Sequence, residues 1–206
     1  FRPALDLSLV NYFGPGAVRA SPVVKFPGFD GEQDSVEFNY VNVNIEEASL
    51  PYSDASFKFI VFCEVLEHMT NDPLHALLEL KRVLEPGAMM ILTTPNAARL
   101  ENVSAFLEGR NMYDGFSAYG PYGRHNREYT RHELHMLMNH CGFEVDISFT
   151  GNVHADLPLE QVNPGALNSL FSQVRNREND LGQYLFTRWI NARPAEVKLP
   201  RWLYRS

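Results

Sequence analysis

Short apolar runs alternate with amphipathic stretches along this chain, and their two periods, near 2 and near 3.6, place most of its elements. Residues 59–62 (Phe-Ile-Val-Phe) form a brief, β-branched run that predicts a buried strand. Asp72-Pro73 then opens a helix. Asp is a good N-cap, and proline at the first helical position lacks only an N–H that would go unbonded anyway. Leu77, Leu80 and Leu84 give this helix an apolar stripe, and Pro86-Gly87 stops it. Residues 89–92 (Met-Met-Ile-Leu) predict a second buried strand, ended by Thr93-Thr94-Pro95-Asn96. Together these make one β-α-β unit, with parallel strands and a right-handed crossover.

Upstream, residues 36–43 alternate as VEFNYVNV, the pattern of a half-buried strand. Residues 4–10 and 22–26 predict a first and a second strand. Between them, Gly14-Pro15-Gly16 leaves too little room for the helical crossover that a parallel pair needs. Downstream, residues 99–123 lose regular pattern, holding four glycines and the aromatics Phe106, Tyr113, Phe116, Tyr119 and Tyr122. Thr130 caps the next helix, with Glu133 completing a capping box. Leu134, Leu137 and Met138 face inward, and Gly142 ends the helix. Residues 143–149 and 183–190 read as strands, and residues 151–180 are polar and without period.

Composition narrows the picture only slightly. A chain of 206 residues, 45% hydrophobic and 21% charged, suits one α/β domain with a single core. A net charge of −7 argues against a nucleic-acid partner, which favours a basic surface. Cys63 and Cys141 have neither disulfide-framework nor zinc spacing, so a reduced, cytoplasmic setting is the default. No apolar run approaches a membrane span and no signal-peptide pattern opens the chain, so the expectation is a soluble protein.

Chemistry concentrates in Glu64-Val65-Leu66-Glu67-His68, at the carboxyl end of the first buried strand. If a helix begins there, spacings of three and four put Glu64, Glu67 and His68 on one face. Two carboxylates and an imidazole converging at a strand end suit a divalent cation. They equally suit a plainer arrangement, in which Glu64 borders a cofactor pocket while Glu67 and His68 make structural hydrogen bonds. His132 and His135, three apart on the later helix, are expected to face solvent. His75 and His140 have no partner pattern.

The string EVLEH, then DP, then a helix ending RVLEPG, then a strand ending TTPN, resembles the class I S-adenosylmethionine-dependent methyltransferases. The likeness runs from about Asn44 to Phe149. It implies a Rossmann-like, mainly parallel seven-stranded α/β sheet with an antiparallel edge strand (residues 183–190), helices on both faces, and a single methyltransferase domain over 1–206. It implies S-adenosylmethionine as cofactor, with Asn44, usually Asp in the family, and Ile45 at the adenine, and with Cys63 and Glu64 bordering the pocket. Gly14 and Gly16 are the remnant of the family's glycine-rich loop, although a GPG also makes an ordinary turn. Since the helix that should follow that loop is missing, residues near 11–21 are expected to be absent from the sequence. Lys58 stands where the family usually carries Asp.

A second resemblance concerns His125. Small-RNA 2′-O-methyltransferases carry a similar ExxEH and a distant His followed by a stretch resembling HNREYT. Ubiquinone-pathway O-methyltransferases also use a similar ExxEH for metal binding. Carried over, the ligands are Glu64, Glu67, His68 and His125, holding Mg²⁺ or Mn²⁺, with two imidazoles favouring Mn²⁺ or Fe²⁺ over Mg²⁺. Without a metal, His125 or His68 is the general base for a hydroxyl acceptor. The aromatic loop with YGRHNREYT resembles methyltransferases of glycan pathways, which makes 97–129 a substrate or lid loop. On that reading Tyr119, Tyr122 and Tyr129 stack on a sugar, and Arg124 or Arg127 contacts an anionic group. An internal Arg127–Glu128 ion pair is the alternative. The expected partner is a small-molecule or glycan acceptor, and the oligomeric state is open.

Overall fold

A computed structural model of the chain describes residues 7–12, 23–27, 33–37, 39–154 and 180–204. It divides into two compact units, 1–51 and 52–206. In the first unit β1 (Ser8–Asn11) pairs in parallel with β4 (Asn39–Asn42), and β2 (Val23–Pro27) pairs antiparallel with β3 (Gln33–Glu37). The alternating stretch 36–43 takes in the end of β3 and the whole of β4. Among the described residues the first two strands pair with β4 and β3 and not with each other. Residues 13–21, where the chain was expected to lack part of its sequence, lie outside the described residues. Gly14 and Gly16 lie outside the described residues. Asn44 follows β4 in a turn, where its carbonyl accepts from Glu47 and Ala48 and its side chain from the Glu46 amide.

In the second unit β5 (Phe57–Cys63), α1 (Pro73–Val83) and β6 (Leu84–Pro95) form the expected β-α-β unit, with β5 and β6 parallel. The Asp72 side chain accepts from the Leu74 amide at 2.9 Å, which is the predicted cap. Leu74, Leu77, Leu80 and Val83 are buried. Leu84, expected on the helix, already belongs to β6. α3 (Arg131–His140) starts at the Thr130 cap, buries Leu134, Leu137 and Met138, and ends before Gly142, whose φ is +84°. β7 (Phe143–Gly151) and β8 (Tyr184–Asn191) complete a sheet of order β5-β6-β8-β7.

Three expectations are corrected. Among the described residues there is a four-stranded sheet and two two-stranded ones, not one sheet of seven strands. The antiparallel strand β8 is not at the edge: it pairs with both β6 and β7, which leaves β7 outermost. Its alternating burial pattern looks the same at an edge or inside, so sequence alone does not distinguish them. Among the described residues the four-stranded sheet is also covered on one face only. Met90, Leu92, Leu185 and Trp189 are fully buried, whereas Phe59, Val61, Met89, Ile147 and Phe149 on the opposite face are all more than a third exposed.

The patternless stretch 99–123 hides a helix, α2 (Leu100–Leu107). It buries Asn102, Ser104 and Ala105, while Phe106 is 69% exposed. An inward face made of small and polar residues defeats a search for apolar periodicity. His135 is corrected as well. It is half-buried, edge-on to the Trp189 ring at 5.2 Å, with Nε2 2.8 Å from Ser148 Oγ.

Candidate functional site

The site is assembled where β5 and β6 end. Directly after β5, Glu64 takes a left-handed backbone conformation (φ +55°), uncommon for a residue with a side chain. Its amide donates to the Thr93 carbonyl at 3.0 Å, and its carboxylate accepts from Thr93 Oγ1 at 2.7 Å. The chain then makes a single 3₁₀ turn, Leu66–His68, instead of an α-helix. The i, i+4 relation expected between Glu64 and His68 therefore does not arise.

What does converge is Glu67, His68 and His125, each offering a ligand atom within 4.8 Å of the others. Three of the four expected ligands come together, and Glu64, engaged with Thr93, stands outside the group. The loop that brings His125 is held by Asn126. Its amide donates to the Glu67 carbonyl at 2.7 Å, and its side chain donates to the carbonyls of His68 (2.9 Å) and Pro121 (2.7 Å).

The proton positions follow from the partners. Nδ1 of His68 lies 2.9 Å from the Arg124 carbonyl, which can only accept. Nδ1 therefore carries the hydrogen, and Nε2 lies 3.8 Å from Glu67 Oε1, available as a ligand atom when the ring is neutral. Nδ1 of His125 donates to Glu128 Oε1 at 2.9 Å, which leaves its Nε2 available when the ring is neutral. The two rings meet edge to face, 5.2 Å apart. The hydrogen bond to Glu128 raises the His125 pKa above its ordinary 6.5. Glu128 is pushed up by burial, but His125 and Arg99 outweigh this and hold its carboxyl below 4.5.

Glu67 is in the opposite condition. It is fully buried, and that burial pushes its carboxyl from 4.5 up to about 7. Oε2 accepts from Thr94 Oγ1 at 2.9 Å, while Oε1 is buried without a hydrogen-bond partner. A buried carboxylate oxygen lacking a partner, facing two imidazoles already tied back through Nδ1, is a donor set suited to a divalent cation.

Beside this group is a pocket of about 340 Å³, walled by His125 and Glu128, by Arg99 and Asn102 near α2, and by Gln183 and Tyr184 at the start of β8. None of the loop residues expected to touch substrate lines it. Tyr129 is buried and bridged to Asn96. Tyr119 is 90% exposed, and Tyr122 also lies outside the pocket wall. Arg124 covers the Phe116 ring at 4.7 Å. Arg127 pairs with Glu133, not Glu128, whose partner is Arg99. Thr94, Asn96, Arg99, Asn126, Glu128 and Tyr184 are not among the site residues expected from the sequence. Only Glu128 had a signal there, its position three after His125, and a spacing rule for helices does not apply to a loop.

Residues 12–147 match the family model for a methyltransferase domain, more than half of the chain. The chain belongs to this family, the class I S-adenosylmethionine-dependent methyltransferases. It is 33% identical over 114 residues to a Mycolicibacterium smegmatis protein described as a "probable S-adenosylmethionine-dependent methyltransferase". The match takes in 54% of this chain and 39% of that relative, so the chain spans well under half the relative's length. Among solved structures it is similar to a Thermotoga maritima S-adenosylmethionine-dependent methyltransferase, "possible histamine N-methyltransferase". Identity there is 18% and the TM-score 0.48, with 75% of this chain and 64% of the other covered. An Archaeoglobus fulgidus S-adenosylmethionine-dependent methyltransferase gives 15% and 0.47, covering 74% and 67%. No helix among the described residues is long and apolar enough to cross a membrane.

Proposed function

We propose that residues 1–206 act as one S-adenosylmethionine-dependent O-methyltransferase domain whose acceptor is a hydroxylated small molecule, a sugar or glycan intermediate, with Mg²⁺ or Mn²⁺ held by Glu67, His68 and His125. The observation that carries this reading is the buried, unpartnered Glu67 Oε1 within 4.8 Å of ligand atoms on two histidines. Methyl transfer from a sulfonium forms an O–CH₃ bond as the S–CH₃ bond breaks, and the acceptor hydroxyl must give up its proton. A bound divalent cation would lower the pKa of that hydroxyl and fix two vicinal oxygens.

The remaining work falls to the protein. Glu128 holds the His125 ring in one tautomer, the Arg124 carbonyl does the same for His68, and Asn126 fixes the distance between the two segments. The adenine remains assigned to Asn44 and Ile45, with Cys63 and Glu64 bordering the cofactor.

The test is turnover with and without chelator. EDTA should abolish methylation and Mn²⁺ or Mg²⁺ should restore it. His125→Ala should reduce turnover by about 10²–10⁴-fold, while calorimetry shows S-adenosylmethionine affinity nearly unchanged. Full activity in EDTA would overturn the metal. The carboxylate-backed His125 would then be the general base, since the Glu128 pairing already raises its basicity.

A further inference from the structure

The pocket beside His125 has a second wall that the cation group does not use. It is the start of β8, where Tyr184 pairs with Pro95 on one side and Gly151 on the other. Held from both sides, the residue presents its half-buried ring to the pocket. The ring leans on His154, with centroids 6.0 Å apart and planes at 59°. Among the described residues the Tyr184 hydroxyl has no hydrogen-bond partner. A phenol that the fold leaves unengaged in a polar pocket is free to bond whatever fills it.

We propose that Tyr184 is an acceptor-contacting residue, its hydroxyl hydrogen-bonding one oxygen of a vicinal diol while its ring and that of His154 form the face on which the acceptor ring packs. This rests on the O-methyltransferase reading above. The pocket volume of about 340 Å³ is near the lower end for ligand sites, the size of a single small ring. Its walls suit a compound that is polar at the edge and apolar on the face. Arg99, Asn102, Asp114 and Gln183 offer polar groups, and Tyr184 and His154 offer ring surface. Burial, with the nearby charges of Glu64 and Glu67, raises the Tyr184 pKa above 10, so the phenol stays protonated and keeps its hydrogen to donate. A sugar and a catechol share this diol chemistry.

The experiment uses the full chain with S-adenosylmethionine and Mn²⁺. The probes are the methyl α-glycosides of glucose, mannose and rhamnose, and catechol. Binding is read by saturation-transfer NMR and reaction by transfer of a labelled methyl group. Tyr184→Phe should keep the wild-type melting temperature, because the fold does not use the hydroxyl. It should raise KM for the accepted probe about three- to tenfold, the loss of one neutral hydrogen bond, with a smaller change in kcat. Tyr184→Leu should weaken binding further.

If glycosides are methylated and Tyr184→Phe leaves KM unchanged, the enzyme reading survives and this inference is overturned. If only catechol is methylated and Tyr184→Phe raises its KM, the sugar assignment fails and the role of Tyr184 stands. If probes bind with the Tyr184 dependence but no methyl is transferred, the transfer reading fails while the contact stands. No binding of any probe to the wild-type protein overturns the inference.

Discussion

Glu67 and Glu128 are two glutamates serving one site, yet the fold drives them in opposite directions. Both are withdrawn from solvent. Glu128 is given three donors: His125 on one oxygen, Arg99 and Asn102 on the other. It stays ionised, with its pKa below 4.5. Glu67 has a single side-chain donor, Thr94, and one bare oxygen, and its pKa rises to about 7. Depth alone does not set a carboxylate's charge. The number of donors that meet it does, because burial penalises the ion and each donor repays part of that penalty. The contrast also separates two roles: a carboxylate satisfied by the protein can orient a histidine, whereas one left short of partners can take a cation.

The largest effect should come from Glu67→Ala, which removes the only carboxylate in the group of three. Mn²⁺ binding, measured by calorimetry, should fall by more than the roughly 10–100-fold typical of losing an outer partner. Unchanged affinity would break the distinction between the two glutamates.

Next is a pH effect in metal-free protein. A carboxyl whose folded pKa is raised contributes stability that is fully present below the unfolded value, and loses it as pH rises through the folded value. The wild-type protein should therefore lose stability between about pH 4.5 and about 7. The span is at most roughly 3 kcal/mol, at 1.36 kcal/mol per pKa unit. Glu67→Gln should flatten that window in denaturant titrations, and an unaltered slope would refute the assignment. Glu128 carries the reverse sign: its contribution is present above pH 4.5 and is lost on acidification.

The smallest of the three is Glu128→Gln. Mn²⁺ affinity should drop about 10–100-fold, as expected for a residue that acts through His125. The His125 pKa, followed by ring NMR, should fall toward 6.5. A pKa that stays raised would mean that Asp114, 3.6 Å from Nδ1, does the orienting instead.

What the sequence determined by itself was local. The Asp72 and Thr130 caps, the stop after α1, and the inward leucines of α1 and α3 all depend on groups within a turn of one another, so their signals lie side by side in the chain. Of the three residues that converge, Glu67 and His68 were legible from their residue types and closeness in the chain, and His125 only through a family likeness. The helical spacing invoked to gather the first two with Glu64 was the wrong geometry, since a 3₁₀ turn and a left-handed Glu64 replace the helix. Tertiary structure decided the rest. It set β8 inside the sheet, gave Arg127 to Glu133, buried Tyr129, joined Glu128 to Arg99 across 29 residues, and placed Tyr184 beside a pocket wall begun at Pro95. Pairings between distant segments are chosen by the packing of the whole unit, and no local period in the chain records which donor will reach which oxygen.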